Sequence, residues 1–452
     1  MKTMLLSIFA LSVPLGAACA SGLRIPVERH KLRNGLRVVL SRDASAPVAA
    51  VYLIYGVGAR SEQKGRSGFA HLFEHMMFQG SENAPKGVHF QTVEANGGYL
   101  NGSTHPDYTD YFEVLPSNKL PVALWLEADR MRGLAITEEN LANQKEAVKE
   151  ERRLRLDNQP YVTAIVDKWP ELAFRNWSNS HSIIGSFEDL DAATVEDVAK
   201  FFKTYYAPNN AVIALVGNID LAETKKLIEA YFGDIEPQPQ PQHPDLTEPA
   251  PEGERAAVHQ DPHAQVPALI LSFPGPKRRL PDYYALSMLD VILTAGDSSR
   301  FQQNLVKGKQ SVIQYESNLG WPFSSTVDYL DPGAYGIFLV HNPGFSGQQI
   351  ARQVAEEIAA IQNDGVTPQE LERARTFLRA QNVRELQSSI NRAQLLGQHE
   401  LLDGDAGLIN TELDRFLQIT PEQIQAAAAK YLQPRFRTLL EIVPETARGE
   451  SQ

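Results

Sequence analysis

The sequence predicts an α+β fold in which one chain contains two homologous α/β-sandwich repeats, each a sheet with packed helices. Residues 236–254 are dominated by Pro, Gln, Glu and Asp, and they separate two halves of similar length. A helix, a Tyr-x-x-Pro segment and a strand follow Thr194, and the same features follow Thr420 at a constant offset. This recurrence indicates a duplicated unit, with chance similarity between two amphipathic helices as the alternative explanation.

The first half alternates strands and helices. Short stretches rich in β-branched residues, bounded by turn residues, are typical of strands, and longer stretches with capping residues are typical of helices. The helix expected at 137–156 has Thr137 as its N-cap and acidic residues in its first turn. In chain order we expect strands at 36–40 and 48–55, a helix at 68–78, a strand at 108–115, and helices at 120–132 and 137–156.

These features divide the chain into four predicted parts. We expect a signal peptide at residues 1–20, an N-terminal domain at 21–235, a linker at 236–262 and a C-terminal domain at 263–446. With 452 residues and 43% hydrophobic side chains, the chain has enough apolar surface for large cores.

The first twenty residues have the pattern of an export signal. A basic Lys2 precedes an apolar run, and small residues end at Ala20. The run is too short for a transmembrane anchor, which is one alternative; lipoprotein processing at Cys19 is the other. Because Cys19 is the only cysteine, cleavage would leave no thiol for a disulfide or for metal binding. We therefore expect a periplasmic or secreted protein, from a Gram-negative bacterium.

The charge balance excludes several classes of partner. The formal net charge is −12 at pH 7, and no cluster of Lys and Arg is present that would bind nucleic acid or an anionic membrane surface. The composition is that of a soluble globular protein without a membrane span.

His71-Leu72-Phe73-Glu74-His75 is the most informative motif in the chain. On a helix, His71 and His75 lie one turn apart on the same face, so both imidazoles can bind one metal ion. Glu74 lies beside them and is a suitable general base for a water molecule that the metal activates. A pair of surface histidines is the alternative, but the amphipathic helix and the preceding Gly-rich turn favour a site.

The motif and its surroundings, from Gly68 to Ser81, resemble the inverted zinc motif of the pitrilysin and mitochondrial-processing-peptidase family. The resemblance extends through Asn96 to Thr104 and covers essentially the whole chain after the signal, with both repeats. It implies one Zn²⁺ per chain and a third zinc ligand about 76 positions after the second histidine. That position is Glu151, with the adjacent Glu150 as the fallback.

Two departures from the family pattern concern the metal site. Many relatives have an acidic residue seven positions before the third ligand, where this chain has Gln144, which can support the site by hydrogen bonding but adds no charge. In the second repeat, Ser287, Asp290 and Val291 stand where the first has His71, Glu74 and His75. The 21–235 domain is therefore the expected zinc-binding catalytic domain, and the C-terminal repeat is non-catalytic.

The resemblance also implies how a peptide substrate would bind. The family's strand that corresponds to Asn96–Thr104 is a sheet edge that pairs with an extended substrate. Asn101, Gly102 and Ser103 are the candidate substrate-binding residues. Without the neighbouring motif, Asn101-Gly102 would indicate only a turn.

The family uses an Arg and a Tyr, seven residues apart, to hold the substrate backbone and the oxyanion. Here the matching positions are Val306 and Ile313, or Lys307 and Gln314 with a shift of one residue. We therefore expect a heterodimer, in which a related metal-free chain supplies the pair and closes a clam-shell over the zinc. The alternative is a homodimer in which Lys307 and Tyr315 replace the pair.

The function expected from these observations is a zinc-dependent endopeptidase that cleaves peptides or unfolded polypeptides by metal-activated water attack. The alternative is a non-catalytic, core-like subunit of a peptidase-related complex, although such subunits generally lack the zinc residues. A hydrolase with another metal is a third possibility that no feature of the sequence requires.

Overall fold

The computed structural model describes residues 24–321, 329–331 and 333–445, and the predicted signal peptide lies outside them. The first half contains β1 (Glu28–Lys31), β2 (Arg37–Arg42), β3 (Val48–Tyr55), α1 (Phe69–Met76), α2 (Val88–Ala95), β4 (Tyr99–Thr104), β5 (Thr109–Pro116), α3 (Leu120–Arg132), α4 (Glu138–Arg152), α5 (Trp169–Ala173), α6 (Trp177–Ser180), α7 (Phe187–Asp191), α8 (Val195–Tyr205), β6 (Ala211–Gly217) and α9 (Leu221–Phe232). The second half contains β7 (Arg255–Asp261), β8 (Ala268–Pro274), α10 (Pro281–Thr294), β9 (Val312–Leu319), β10 (Ala334–His341), α11 (Gly347–Asp364), α12 (Pro368–Gln387), α13 (Ser389–Gln398), α14 (Glu412–Leu417), α15 (Pro421–Tyr431) and β11 (Thr438–Pro444).

Each half is built on one sheet, and the two sheets share a topology. The first has the order β1-β2-β6-β3-β5-β4 and the second β7-β11-β8-β10-β9. If β1 is set aside, the strands correspond one to one in chain order. In each sheet the first and last of these corresponding strands pair in parallel, β2 with β6 and β7 with β11. The predicted pair of homologous α/β repeats is therefore confirmed.

The central strands read as apolar runs because both of their faces are covered. In β3, seven of the eight positions are buried. One face of the first sheet packs against helices of its own half, with Leu53, Leu72 and Phe73 in the same core. A helix placed on a sheet in this way buries the apolar stripe of both elements.

The opposite face of each sheet is covered by the other half of the chain. Helix α13 of the second half packs on β3 and β6, where Ala393 and Leu396 contact the core around Tyr52. Gly397 is required at this contact because a Cβ there would lie 2.6 Å from the Tyr52 ring. Trp169 of the first half likewise packs on the second sheet, with Trp321 and Phe338. Each half thus covers one face of the other's sheet, and a cavity lies between the two halves.

The connector between the halves differs from its prediction. Residues 255–261, which the sequence assigns to the linker, form β7, an edge strand with alternating exposure that pairs with β11. This strand carries few apolar side chains, so the sequence marks it weakly. Beyond its pairing with β11, Arg255 donates to the carbonyls of Leu172 and Ala173 at 3.0 and 2.8 Å. The Pro-rich part is also anchored: the Glu248 carboxylate accepts hydrogen bonds from the N–H groups of Arg175 and Asn176, at 2.8 and 3.1 Å.

Among the described residues, no helix combines the length and hydropathy that a bilayer span requires.

Candidate metal centre

Helix α1 holds His71 and His75 side by side. Their rings lie one turn apart in an edge-to-face arrangement, with centroids 4.8 Å apart. The apolar side of the same helix, which includes Leu72, Phe73 and Met76, is buried in the first core. This amphipathic pattern directs the two imidazoles toward the cavity.

Helix α4 brings Glu151 to the same point. Thr137 caps the helix by accepting a hydrogen bond from Asn140 N–H at 3.1 Å, and Glu151 lies in the last turn. One Glu151 oxygen is 3.1 Å from His75 Nε2 and 3.6 Å from His71 Nε2. The adjacent Glu150 is exposed and pairs with Arg153 instead, so the structure brings Glu151, rather than the fallback, to the histidines.

The chemistry of this donor set fits zinc. One ligand atom from each of His71, His75 and Glu151 lies within 4.8 Å of the others. Two imidazoles and one carboxylate would hold a zinc ion with three protein ligands, the donor set typical of catalytic zinc sites. Burial lowers the pKa of His71 to about 4, so its ring is neutral, as a metal ligand must be.

His75 and Glu151 shift each other's pKa, as expected of two groups that can share a proton or a cation. Their hydrogen bond lowers the pKa of Glu151, and it raises the pKa of His75 although burial alone would lower it. A divalent cation at this point would take the place of the proton that the two groups share.

Gln144 lies behind the His75 ring, at the nitrogen that does not face Glu151. Its side-chain oxygen is 3.3 Å from His75 Nδ1, on α4, the same helix as Glu151. An acceptor at Nδ1 fixes the ring so that Nε2 faces the metal position. Arg155 contacts the second Glu151 oxygen at 2.9 Å, and it is largely exposed.

Glu74 is held in a defined orientation beside the histidines. Thr104 Oγ1 donates a hydrogen bond to Glu74 Oε2 at 2.7 Å. Burial raises the pKa of Glu74, although this hydrogen bond opposes the shift. A raised pKa makes this carboxylate a better proton acceptor than an exposed one. Thr104 is part of the family motif, but the sequence does not show its contact with Glu74, because Thr104 lies on β4 and Glu74 on α1.

The predicted substrate-binding residues lie on β4, the terminal strand of the first sheet. Asn101 is exposed, and Gly102 is buried opposite Tyr111, whose ring would be 3.0 Å from a Cβ at this position. Ser103 donates to the Asp110 carboxylate at 3.2 Å. All three line the cavity that also contains His71, His75 and Glu151.

That cavity has a volume of about 810 Å³ and has walls from both halves. Its apolar walls are formed by Trp169 and Phe174 of the first half and Trp321 of the second. At its rim, Arg60 donates to Asp107 at 3.0 Å and to the Leu330 carbonyl at 2.8 Å, which ties the two halves together. The sequence did not identify these wall residues, because only the folded chain brings them to the site.

The second repeat has no counterpart of the metal ligands at the aligned positions. There, Asp290 accepts hydrogen bonds from Tyr335 at 3.0 Å and from Ser317, and burial raises its pKa to about 6. Val291 offers no ligand atom, and the Ser287 hydroxyl donates to the Tyr283 carbonyl at 2.9 Å. Among the described residues, the groups of His and acidic side chains able to hold a metal both lie in the first half.

The second of these groups is neutralised by an arginine side chain of the same core. His89, Glu113 and Glu127 lie together in the core, but Arg130 donates to Glu127 at 2.8 Å. The ring of Tyr111 also stacks on this guanidinium, at 4.4 Å. The buried charge is thus compensated within the protein.

The positions expected for the Arg and Tyr pair are not at the cavity. Ile313 is exposed on the edge strand β9, and Lys307 is exposed before it. Tyr315 donates its hydroxyl proton to the Thr294 carbonyl at 3.2 Å and lies 3.0 Å from Ser299 Oγ. Lys307, Ile313 and Tyr315 are not among the described residues that line the cavity with His71, His75 and Glu151.

Comparisons with known proteins agree with this geometry. A sequence profile described as insulinase, peptidase family M16, matches residues 37–186, and one described as the peptidase M16 inactive domain matches residues 192–378. The zinc protease PqqE of Helicobacter pylori is 27% identical over 438 residues, 96% of this chain and 97% of that protein. A probable mitochondrial-processing peptidase subunit beta of Schizosaccharomyces pombe is 26% identical over 426 residues, 90% and 88% of the two chains.

A solved structure has the same fold over nearly the whole chain. The crystal structure of a protease from Helicobacter pylori superposes with a TM-score of 0.86 at 26% identity and covers 93% of this chain and 100% of that one. The two profile matches together span most of the sequence, in both halves. The chain therefore belongs to peptidase family M16, which includes the insulinases.

Proposed function

We propose that this chain is a zinc-dependent endopeptidase that cleaves peptides or unfolded polypeptides. The observation that carries the proposal is the convergence of His71 Nε2, His75 Nε2 and a Glu151 oxygen next to Glu74. Zinc held by these three residues would supply Lewis acidity, which polarises a peptide carbonyl and lowers the pKa of a water molecule. The names of related zinc proteases support the same choice of metal.

The protein groups have distinct roles in this proposal. Glu74 accepts the proton of the attacking water and later returns it to the leaving amine. Thr104 holds the Glu74 carboxylate by its 2.7 Å hydrogen bond, so the base does not need to reorient during the reaction. Gln144 keeps the His75 ring in its ligating orientation.

The outer edge of β4, which pairs with no strand among the described residues, supports an extended peptide as the substrate. Strand addition uses backbone hydrogen bonds and so makes few demands on sequence. The peptide would pass Asn101 and Gly102 in a cavity with walls from both halves of the chain. A folded protein presents no free strand at such a position, so peptides and unfolded segments are the expected substrates.

We further propose that a second chain completes the site. The Tyr315 hydroxyl already donates a hydrogen bond to the Thr294 carbonyl of its own half. This favours a different chain as the source of the oxyanion donors, rather than Lys307 and Tyr315 of a second copy of this chain. Removing one oxyanion donor costs a factor of about 10²–10³ in rate. A heterodimer with a related, metal-free chain is therefore the proposed active form. From the export-signal pattern of residues 1–20, the proposed location is the periplasm or the extracellular space.

Zinc removal and partner capture test this proposal. The purified chain should bind zinc, lose hydrolysis of a mixed peptide pool on chelation and regain it with added zinc. Addition of the partner captured from native extract should raise the rate. Full activity of the chain alone would defeat the heterodimer, and a chain without zinc or activity would support a non-catalytic subunit.

A further inference from the structure

Helix α1 begins without a capping side chain of its own. Gly68 is at the N-cap position with φ of 83°, and it has no side chain to accept hydrogen bonds from the first turn. The carboxylate of Glu62 takes this role from outside the helix. One of its oxygens accepts a hydrogen bond from Gly68 N–H at 2.9 Å, and the other accepts one from Ala70 N–H at 2.7 Å.

Glu62 is completely buried and has a charged partner. His181 Nε2 is 2.9 Å from the Glu62 carboxylate and 3.0 Å from the Ala59 carbonyl, and its Nδ1 is 2.9 Å from the Trp177 carbonyl. Every partner of the ring is an acceptor, so both nitrogens carry a proton and His181 is an imidazolium. Its ring stacks on Trp177 with centroids 3.9 Å apart.

The segment that carries His181 is pressed against the start of α1. A Cβ on Gly68 would lie 2.5 Å from the Ile184 carbonyl oxygen, and a Cβ on Gly185 would lie 2.5 Å from Gly68 Cα. Both glycines have positive φ, of 83° and 78°. The first turn of the helix is therefore fixed against a second segment by contacts that admit only glycine.

The two zinc histidines differ in what orients their rings. His75 Nδ1 has Gln144 as a partner, whereas His71 Nδ1 is buried and has no hydrogen-bond partner among the described residues. The orientation of His71 thus depends on the position of its backbone. Ala70, whose N–H binds Glu62, is the residue directly before it.

We propose that Glu62, with His181 as its counter-ion, is the positioning residue that sets His71 for zinc by capping helix α1. This inference rests on the proposed function only in taking His71, His75 and Glu151 as the zinc ligands. Glu62 itself contacts neither the metal position nor the substrate strand among the hydrogen bonds of the described residues. It acts through the helix backbone.

The test measures zinc binding directly. Glu62→Gln keeps one acceptor oxygen but turns an N–H₂ group toward the helix start, so the cap is broken while the side-chain size is kept. We expect the zinc Kd, from competition with a chromophoric chelator, to rise about 10–100-fold, the range for residues that support metal ligands. The kcat for a peptide should fall while KM changes less than about twofold.

A cap elsewhere in the molecule provides the matched control. Thr420 caps α15 in the second half by accepting a hydrogen bond from Gln423 N–H at 3.3 Å. Thr420→Ala should lower Tm without changing the zinc Kd. If both variants weaken zinc binding equally, the effect is one of general stability and the proposal fails.

Hydrogen exchange adds a readout that needs no metal. In zinc-free protein, the Gly68 and Ala70 amides should exchange faster in Glu62→Gln than in wild type. If that variant does not fold, His181→Gln, which leaves the Glu62 cap in place, should show a smaller rise in the zinc Kd. A folded Glu62→Gln with wild-type zinc Kd and exchange overturns the proposal. Zinc binding without peptide hydrolysis in wild type would overturn the proposed function alone.

Discussion

The side-chain oxygen of Gln144 lies 3.3 Å from Nδ1 of His75, while Nε2 of the same ring faces Glu151 at 3.1 Å. A neutral amide thus lies behind a proposed zinc ligand. We predict that Gln144→Leu raises the zinc Kd about 10–100-fold because the ring loses its orienting partner. Gln144→Glu should lower the Kd, since a carboxylate makes a stronger, charge-assisted hydrogen bond. Chelator competition measures both, and a Gln144→Leu Kd equal to wild type would refute this role.

Glu150 and Glu151 form a natural pair of test positions. Glu151 contacts both histidines, whereas the side chain of Glu150 is 58% exposed and pairs with Arg153. We predict that Glu151→Gln weakens zinc binding by at least about 100-fold, because a neutral amide is a poor zinc ligand. Glu150→Gln should leave the Kd unchanged. Metal analysis after dialysis checks both, and the reverse result would show that the fallback ligand is correct.

The ion pair of Asp43 and Arg392 joins the first half to helix α13 of the second. Burial alone would raise the pKa of Asp43, but hydrogen bonds from Ser45 N–H and Arg392 outweigh it and lower the pKa to about 2 from an ordinary 3.8. A lowered folded-state pKa contributes stability above the ordinary pKa, and this is lost as the pH falls through about 2.

We therefore predict a pH-dependent difference between wild type and Asp43→Asn. The free energy of unfolding from urea denaturation should be higher for wild type at pH 5 to 7, roughly two units or more above the folded-state pKa. The difference should shrink between about pH 4 and pH 2, where Asp43 becomes protonated and resembles Asn. A difference that stays constant down to pH 2 would contradict the account of this pair.

Trp169 tests the exchange of packing between the halves. The side chain is fully buried on the second sheet, and its Nε1 donates to Ser272 Oγ at 2.8 Å. We predict that Trp169→Ala lowers the free energy of unfolding by about 3–5 kcal/mol, the usual cost of such a cavity. Val258 is 65% exposed, so Val258→Ala should change it by less than about 0.5 kcal/mol. Similar small losses in both variants would mean that the halves do not depend on this contact.

Much of the fold was predictable because its signals are local. The helix expected after Thr137 begins at that capping residue, as α4 does, and the strand at 48–55 agrees with β3, whose apolar run marks it directly. The duplication was predictable from the Tyr-x-x-Pro segments, and the two sheet topologies confirm it. The β7 strand was missed because its side chains alternate in exposure and carry little apolar signal.

The site was predictable where one helix or a fixed spacing defines it. His71, Glu74 and His75 share a helix, and the family spacing led to Glu151. Thr104, Glu62 and the cavity walls could not be inferred, because their contacts join segments that are distant in sequence. Pairing of strands and crossing of helices decide those contacts, and a single sequence does not display them.

Replacement of Glu74 by Gln is the measurement that most directly tests the central claim. The variant keeps the size of the side chain and can still contact Thr104, but it cannot accept a proton. Zinc content and hydrolysis of a mixed peptide pool should be measured together, with any captured partner present. We predict wild-type zinc content and a loss of at least about 10²-fold in kcat. A Glu74→Gln variant that binds zinc and retains wild-type hydrolysis would contradict it.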